Sequence, residues 1–186
     1  MPLEQLIPIA IFIALAAGIV LVLRRVGGVI AESRDTAEFR RSVQDLAKRI
    51  DTTLAGIIGD VDSLRRQQID VEEIVEPLDA ALEAVLGYSE EARALGGPPV
   101  VAGPKAAFAA EIDRADRALQ MVEHGCAILG SASSGQRFGE AQTTIKRGYL
   151  NVLHAREAIA RHARDIAETR GPDEARWFSR RGARDG

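Results

Sequence analysis

Apolar residues recur along this chain in two rhythms. The first is unbroken. Leu6 through Leu23 reads LIPIAIFIALAAGIVLVL, 18 uncharged and almost wholly apolar residues. A helix of that length spans about 27 Å, close to the ~30 Å hydrocarbon core of a bilayer. Pro8 falls in the first turn, where its missing N–H costs little. No Lys or Arg precedes the run and no convincing A-x-A site follows it, so it reads as a transmembrane helix rather than a cleaved signal peptide.

The second rhythm begins beyond residue 34, where apolar positions are spaced by threes and fours. Val43, Ala47, Ile50, Leu54, Ile57, Val61 and Leu64 form one such seam, and Val71, Val75, Leu78, Leu82, Val85, Ala92 and Leu95 a second. Phe108, Ile112, Ala115, Leu119, Val122, Cys126 and Leu129 form a third; the fourth runs Phe138, Ala141, Ile145, Gly148, Val152, Ala155, Ile159, His162, Ile166. This spacing puts each set on one face of an α-helix.

Start and stop signals separate the seams. Asp35 with Glu38 and Asp70 with Glu73 have capping-box spacing, although the first helix has the option of continuing straight from the apolar run. Pro77 is expected to kink the second helix or to mark its start. Gly96-Gly97-Pro98-Pro99 stops it, and Pro104 suits the first turn of the third. Gly130 and the SASSG stretch end the third, Ser133 with Gln136 can cap the fourth, and Gly171-Pro172 closes it.

Four helices of roughly 34, 26, 26 and 36 residues with short connections predict an antiparallel up-down bundle. The expected fold class is therefore all-α, a single N-terminal transmembrane helix followed by about four long amphipathic helices. The expected division is a short extracytoplasmic N-terminus (1–5), the transmembrane helix (6–23), a juxtamembrane linker with Gly27-Gly28 as a hinge (24–34), a cytoplasmic bundle (35–170) and a basic-aromatic tail (171–186). A parallel coiled coil between protomers, leaving residues 104–170 as a hairpin, is the alternative packing.

Composition sharpens this reading in a few places. Aromatic content is 4%, low for a β-sandwich or barrel. The net charge of −3 gives no footprint for nucleic acid. One cysteine excludes an intrachain disulfide. Charge is uneven along the chain: residues 60–92 hold ten acids against Arg65 and Arg66, whereas residues 137–186 hold eleven bases against seven acids. Acidic and basic helices lying side by side would account for this, and a partner-facing acidic surface is the sharper alternative.

Charge also orients the anchor. Arg24, Arg25, Arg34, Arg40, Arg41, Lys48 and Arg49 follow the apolar run, whereas Glu4 is the charged side chain before it. The positive-inside rule then puts the bulk of the chain in the cytoplasm, below the cell membrane. Within the run, Ala10, Ala14 and Gly18 recur every four residues, a small-residue face through which two copies could dimerise.

The residues three before His124, His154 and His162 are Met121, Asn151 and Ile159, so the Glu-x-x-His pairs of di-iron bundles are missing. His154 and His162 lie too far apart along one helix to share a metal ion. Cys126 sits on a seam and reads as a small core residue. GSASSGQR lacks the Lys-[Ser/Thr] of a phosphate loop, as does GGPPVVAGPK, and both read as connections. No catalytic residue, cofactor or metal site is expected.

What stands out is the end of the chain, ARWFSRRGAR, which holds the single tryptophan. An even number of antiparallel helices returns the chain to its starting level, so Trp177 and Phe178 could meet lipid headgroups with Arg180 and Arg181 on anionic lipid, or dock on a protein partner. The expected function is a membrane-anchored, non-catalytic interaction or scaffolding module whose partners are the bilayer and an unidentified protein. A dimeric transmembrane signal relay is the alternative, with a small-ligand-binding bundle third.

Overall fold

The computed structural model describes residues 6–97, 99–131 and 137–169, with side chains from residue 35 onward. Four helices account for almost all of it: α1 (Leu6–Arg65), α2 (Val71–Ala94), α3 (Ala102–Ser131) and α4 (Phe138–Glu168), with a single 3-10 turn at Pro99–Val101. Among the described residues there is no strand. The all-helical bundle expected from the seams is what forms.

Each helix packs on its neighbours in the chain, and α1 also packs on α4, closing a ring. Pairwise contacts give the directions. Arg40 meets Thr169 and Asp51 meets Arg156, so α1 and α4 run antiparallel. Thr53 with Tyr88 sets α1 against α2, and Ser89 with Asp113 sets α2 against α3 in the same sense. The start of α1's packed part, the α2–α3 connection and the end of α4 therefore share one end of the bundle.

The core follows the predicted seams closely. Val43, Ile50, Leu54, Ile57, Val61 and Leu64 are buried on α1, and Phe39 and Leu46 join them. On α3 the seam is buried from Phe108 to Cys126 and widened by Ala109, Ala118 and Ile128. On α4 Ala158 and Ala163 are added, whereas Phe138 stays 41% exposed. Close approach of α3 and α4 depends on two glycines. A Cβ on Gly125 would stand 2.6 Å from Ile145 Cγ1, and one on Gly148 would stand 2.9 Å from the Ala118 carbonyl oxygen.

Three local expectations change. Val75 is 46% exposed and Ile74 takes its place in the core, followed by Leu78, Ala81, Val85, Ser89 and Ala92. Helix α2 begins at Val71 and carries Pro77 inside it, so the proline neither starts nor ends the helix. Its first turn is held as the capping spacing implies, Glu73 Oε1 accepting the Asp70 N–H at 3.1 Å. The GGPPVVAGPK segment is not all loop, since α3 has begun by Ala102.

At the other end, α1 is one uninterrupted helix of 60 residues. Its backbone stays helical through Gly27 and Gly28, where a hinge was expected, and through the Asp35–Glu38 spacing, which caps nothing because the helix continues. Residues 6–34 thus continue α1 ahead of Phe39, the first buried residue among the described side chains. Among the described residues, no helix is long and apolar enough to cross a membrane. The side chains of the 6–23 run lie outside that description.

Candidate functional site

The described residues of the bundle present open surface grooves and charged contacts between helices. Charged contacts tie neighbouring helices at the rim. Arg156 Nε donates to Asp51 Oδ1 at 2.6 Å, and this hydrogen bond holds the Asp51 carboxyl below the usual aspartate range. Arg49 reaches Glu91 at 2.5 Å while its guanidinium lies 5.4 Å from the Tyr88 ring centroid, and the Glu91 bond raises the guanidinium further above its ordinary value. Arg65 lies 4.6 Å over the Tyr149 ring. Such half-exposed pairs set register more than they add stability.

One polar group is drawn into the α2–α3 seam. Ser89 is the buried polar residue of the described core, and its Oγ donates to Asp113 Oδ1 at 2.5 Å. Arg93 Nη2 binds both oxygens of the same carboxylate at 2.7 Å. Asp113 therefore serves two donors on the facing helix. Asp116, one turn on, has its carboxyl pushed upward, first by burial and then by the Asp113 charge.

Most of the acidic stretch lies on α2, and the described part of the basic stretch lies on α4. Helices α2 and α4 sit diagonally across the ring and barely touch, with α1 and α3 between them. Glu91 of α2 is met instead by Arg49 of α1, while Arg156 of α4 is met by Asp51 of α1. Glu72, Glu76, Asp79, Glu83 and Glu90 are left exposed on α2, around Val75 and a 55% exposed Leu86. This face combines acids with apolar side chains at helical spacing.

Two open grooves lie at opposite ends. At the end far from the 6–34 extension, a groove of about 720 Å³ runs between the α1–α2 turn and the start of α4, lined by Arg65, Gln67, Ile69, Leu129, Phe138 and Lys146 among others. At the near end, a groove of about 550 Å³ lies between α1 and the α2–α3 connection.

The histidines and the cysteine differ in exposure. His124 and His154 are exposed, and His162 is half-buried with Nδ1 3.7 Å from Asp165 Oδ2. Cys126 is buried, and burial, with the Glu123 charge second, lifts its thiol to about 11. Among the described residues no group of three or more His, Cys, Asp or Glu side chains could hold a metal ion.

Trp177, Phe178, Arg180 and Arg181 lie outside the described residues, as do Ser133 and Gln136. Ala10, Ala14 and Gly18 belong to the part of α1 whose backbone alone is described. What the structure adds is where the tail departs. Helix α4 ends at Glu168, and the Thr169 carbonyl accepts from Arg40 Nη2. Arg40 lies 17 residues beyond Leu23, so along a straight α1 the end of α4 stands about 25 Å from the apolar run, not at its edge. Sequence patterning missed this offset because it left the connection at Gly27-Gly28 open.

No protein-family model matches the chain, and no curated protein or solved structure matches it.

Proposed function

We propose that this chain is a single-pass membrane protein whose cytoplasmic four-helix bundle is a non-catalytic interaction module. The observation that carries the reading is the continuity of α1: the apolar run from Leu6 to Leu23 belongs to the same helix as the first element of the bundle. A run of that length and hydropathy matches the hydrocarbon core, and Arg24 and Arg25 at its end favour a cytoplasmic bundle. The anchor fixes the bundle at the membrane, and the exposed acids of α2 around Val75 and Leu86 give a partner a surface to recognise. The test is protease access. Added protease should spare the bundle in intact cells and digest it in inverted vesicles; the opposite pattern would reverse the topology.

The same continuity favours a second reading, a dimeric relay in which Ala10, Ala14 and Gly18 pair two anchors and α1 carries rotation into the bundle. A helix unbroken at Gly27-Gly28 is what such transmission needs. Single cysteines placed through residues 24–34 in a Cys126→Ala background should then cross-link with helical periodicity. Absence of any cross-link would leave the monomeric anchor.

A further inference from the structure

We propose that a second copy of this chain covers the acidic face of α2: neighbouring bundles stand side by side, the α2 face of one on the α4 face of the next, in an open row. A second copy is then the partner of the proposed interaction module. The geometry rests on that reading in one respect, that equal anchors hold the copies upright and level.

The two faces carry opposite charge on a similar frame. Glu72, Glu76, Asp79, Glu83, Leu86 and Glu90 follow one another by steps of three and four, which puts them within about 80° around α2. All six are exposed, and the stretch from Glu72 to Glu90 contains no base. None of the five acids forms an ion pair among the described residues. Carboxylates at that spacing repel one another, and cations brought against the face relieve the repulsion. On α4, Lys146, Arg147, Leu150, His154, Arg161 and Arg164 share the outward side within about 100°, and all six are exposed. The two arginine pairs' worth of charge is open, since Lys146, Arg147, Arg161 and Arg164 form no ion pair among the described residues. Glu157 is the one acid between Lys146 and Arg164, with Asp165 and Glu168 beyond them. Each face also holds an exposed leucine among its charges, Leu86 at 55% and Leu150 at 42%.

One bundle cannot join its own two faces. Helices α2 and α4 lie diagonally across the ring with their buried stripes turned inward, so the faces look outward in opposite directions. A second copy in the same orientation brings them together. Both helices run antiparallel to α1 and therefore parallel to each other. Their heights also agree. Thr53 and Asp51, two residues apart on α1, meet Tyr88 and Arg156, which sets Tyr88 and Arg156 within about 3 Å of the same level. Asp79 lies nine residues before Tyr88 and Lys146 ten before Arg156, so these two opposite charges are level within a few Å. Leu86 and Leu150 differ in height by about 3 Å. A contact between two different faces does not close on itself, so it repeats from copy to copy. Exposed ion pairs are individually weak and screened by salt, and confinement to one membrane supplies the density that such a contact needs.

Lys146 gives a direct test, because it is the single lysine of α4. A water-soluble carbodiimide joins a lysine amine to a carboxylate without a spacer, taking up the water released. A bond from Lys146 to Asp79 or Glu83 forms only between two copies, since α2 and α4 of one bundle lie on opposite sides. The experiment uses the purified full chain, in phosphatidylcholine vesicles if it fractionates with membranes and in concentrated buffer solution if it does not. The expected result is a ladder of dimer, trimer and longer products whose joined peptides pair Lys146 with Asp79 or Glu83, with a yield that falls several-fold at high salt. Asp79→Lys with Glu83→Lys should abolish the ladder, as should Lys146→Glu with Arg147→Glu, and mixing the two variants should restore it through the new charge pairs. No intermolecular product, products that leave out Lys146, or a ladder that both variants retain would overturn the proposal. A product that stops at the dimer would mean a closed pair and overturns it too. The anchor is read separately: a chain that pellets with membranes and gives no ladder keeps the anchor and loses the row, whereas a soluble chain that links Lys146 to α2 loses the anchor and keeps the contact.

Discussion

Gly148 on α4 lies against Val122 on α3 with no space for a side chain: a Cβ there would stand 2.7 Å from Val122 Cγ2 and 3.0 Å from the Val122 backbone nitrogen. One step away, Gly125 of α3 meets Ile145 of α4 in the reciprocal arrangement. The two glycines let these helix backbones approach, and α3–α4 is the most extensive of the bundle's interfaces. By intrinsic propensity alone, Gly→Ala in a helix gains up to about 1 kcal/mol. Here the obstructing atoms include backbone, which cannot move aside, so overpacking wins. Gly148→Ala and Gly125→Ala should each lose about 1–3 kcal/mol in denaturant unfolding. Gly56→Ala, where nothing lies within 4 Å, should instead gain a fraction of 1 kcal/mol.

The α1–α2 turn carries a second prediction. Gln67 has φ 60°, and the bonds from Gln68 N–H to the Ser63 carbonyl (2.9 Å) and from Gln67 N–H to the Leu64 carbonyl (3.0 Å) form a Schellman motif. Its left-handed position is where glycine is usual, because a Cβ there costs roughly 1 kcal/mol. Gln67→Gly should raise the unfolding midpoint and Gln67→Val should lower it, without change in the slope of the denaturant curve.

The Asp51–Arg156 pair links stability to pH. The hydrogen bond from Arg156 depresses the Asp51 carboxyl in the folded chain, so the contribution is present above the unfolded aspartate value and is lost as pH falls through the folded one. Both side chains are substantially exposed, and the pair should be worth no more than about 1 kcal/mol. Asp51→Asn should remove that part of the acid dependence, and salt should weaken it in the parent chain.

Cys126 reports unfolding. Burial and the neighbouring Glu123 lift its thiol to about 11, so at pH 8 the folded protein presents almost no thiolate. A thiol reagent should label it only as fast as the bundle opens, and Gly148→Ala should accelerate labelling. Because the folded thiol holds its proton more tightly than the unfolded one, stability should be full below about 9 and decline toward 11. Rapid labelling of the native chain would mean that α3 is more open than described.

Most of the core was legible in the sequence, because a seam such as Ile50–Leu54–Ile57–Val61 can face only one way. The miss on α2 has a physical cause. Its true stripe runs through Ser89, a polar residue that hydrophobic spacing passes over and that is buried because Asp113 accepts its hydroxyl. A stripe that starts at Val71 instead of Ile74 turns Val75 inward, where the fold leaves it exposed. The diagonal placement of α2 and α4 was also hidden, since heptad spacing says which face is apolar but not which helices become neighbours. Candidate surfaces were legible only as composition: the sequence shows the acids of α2 and the arginines of the tail. The close packing of Gly97 on the Phe39 ring is a product of the fold that helical spacing does not show.

The measurement that bears most directly on the account is membrane fractionation of the full chain, with the pellet washed at alkaline pH and then extracted with detergent. A membrane protein anchored through residues 6–23 should survive the wash and leave only with detergent, and Ile13→Arg should shift it toward the soluble fraction by placing a charge in the middle of the apolar run. Recovery of the parent chain in the soluble fraction without detergent would contradict the account, leaving a helical bundle with a long apolar helix to be covered by something other than lipid.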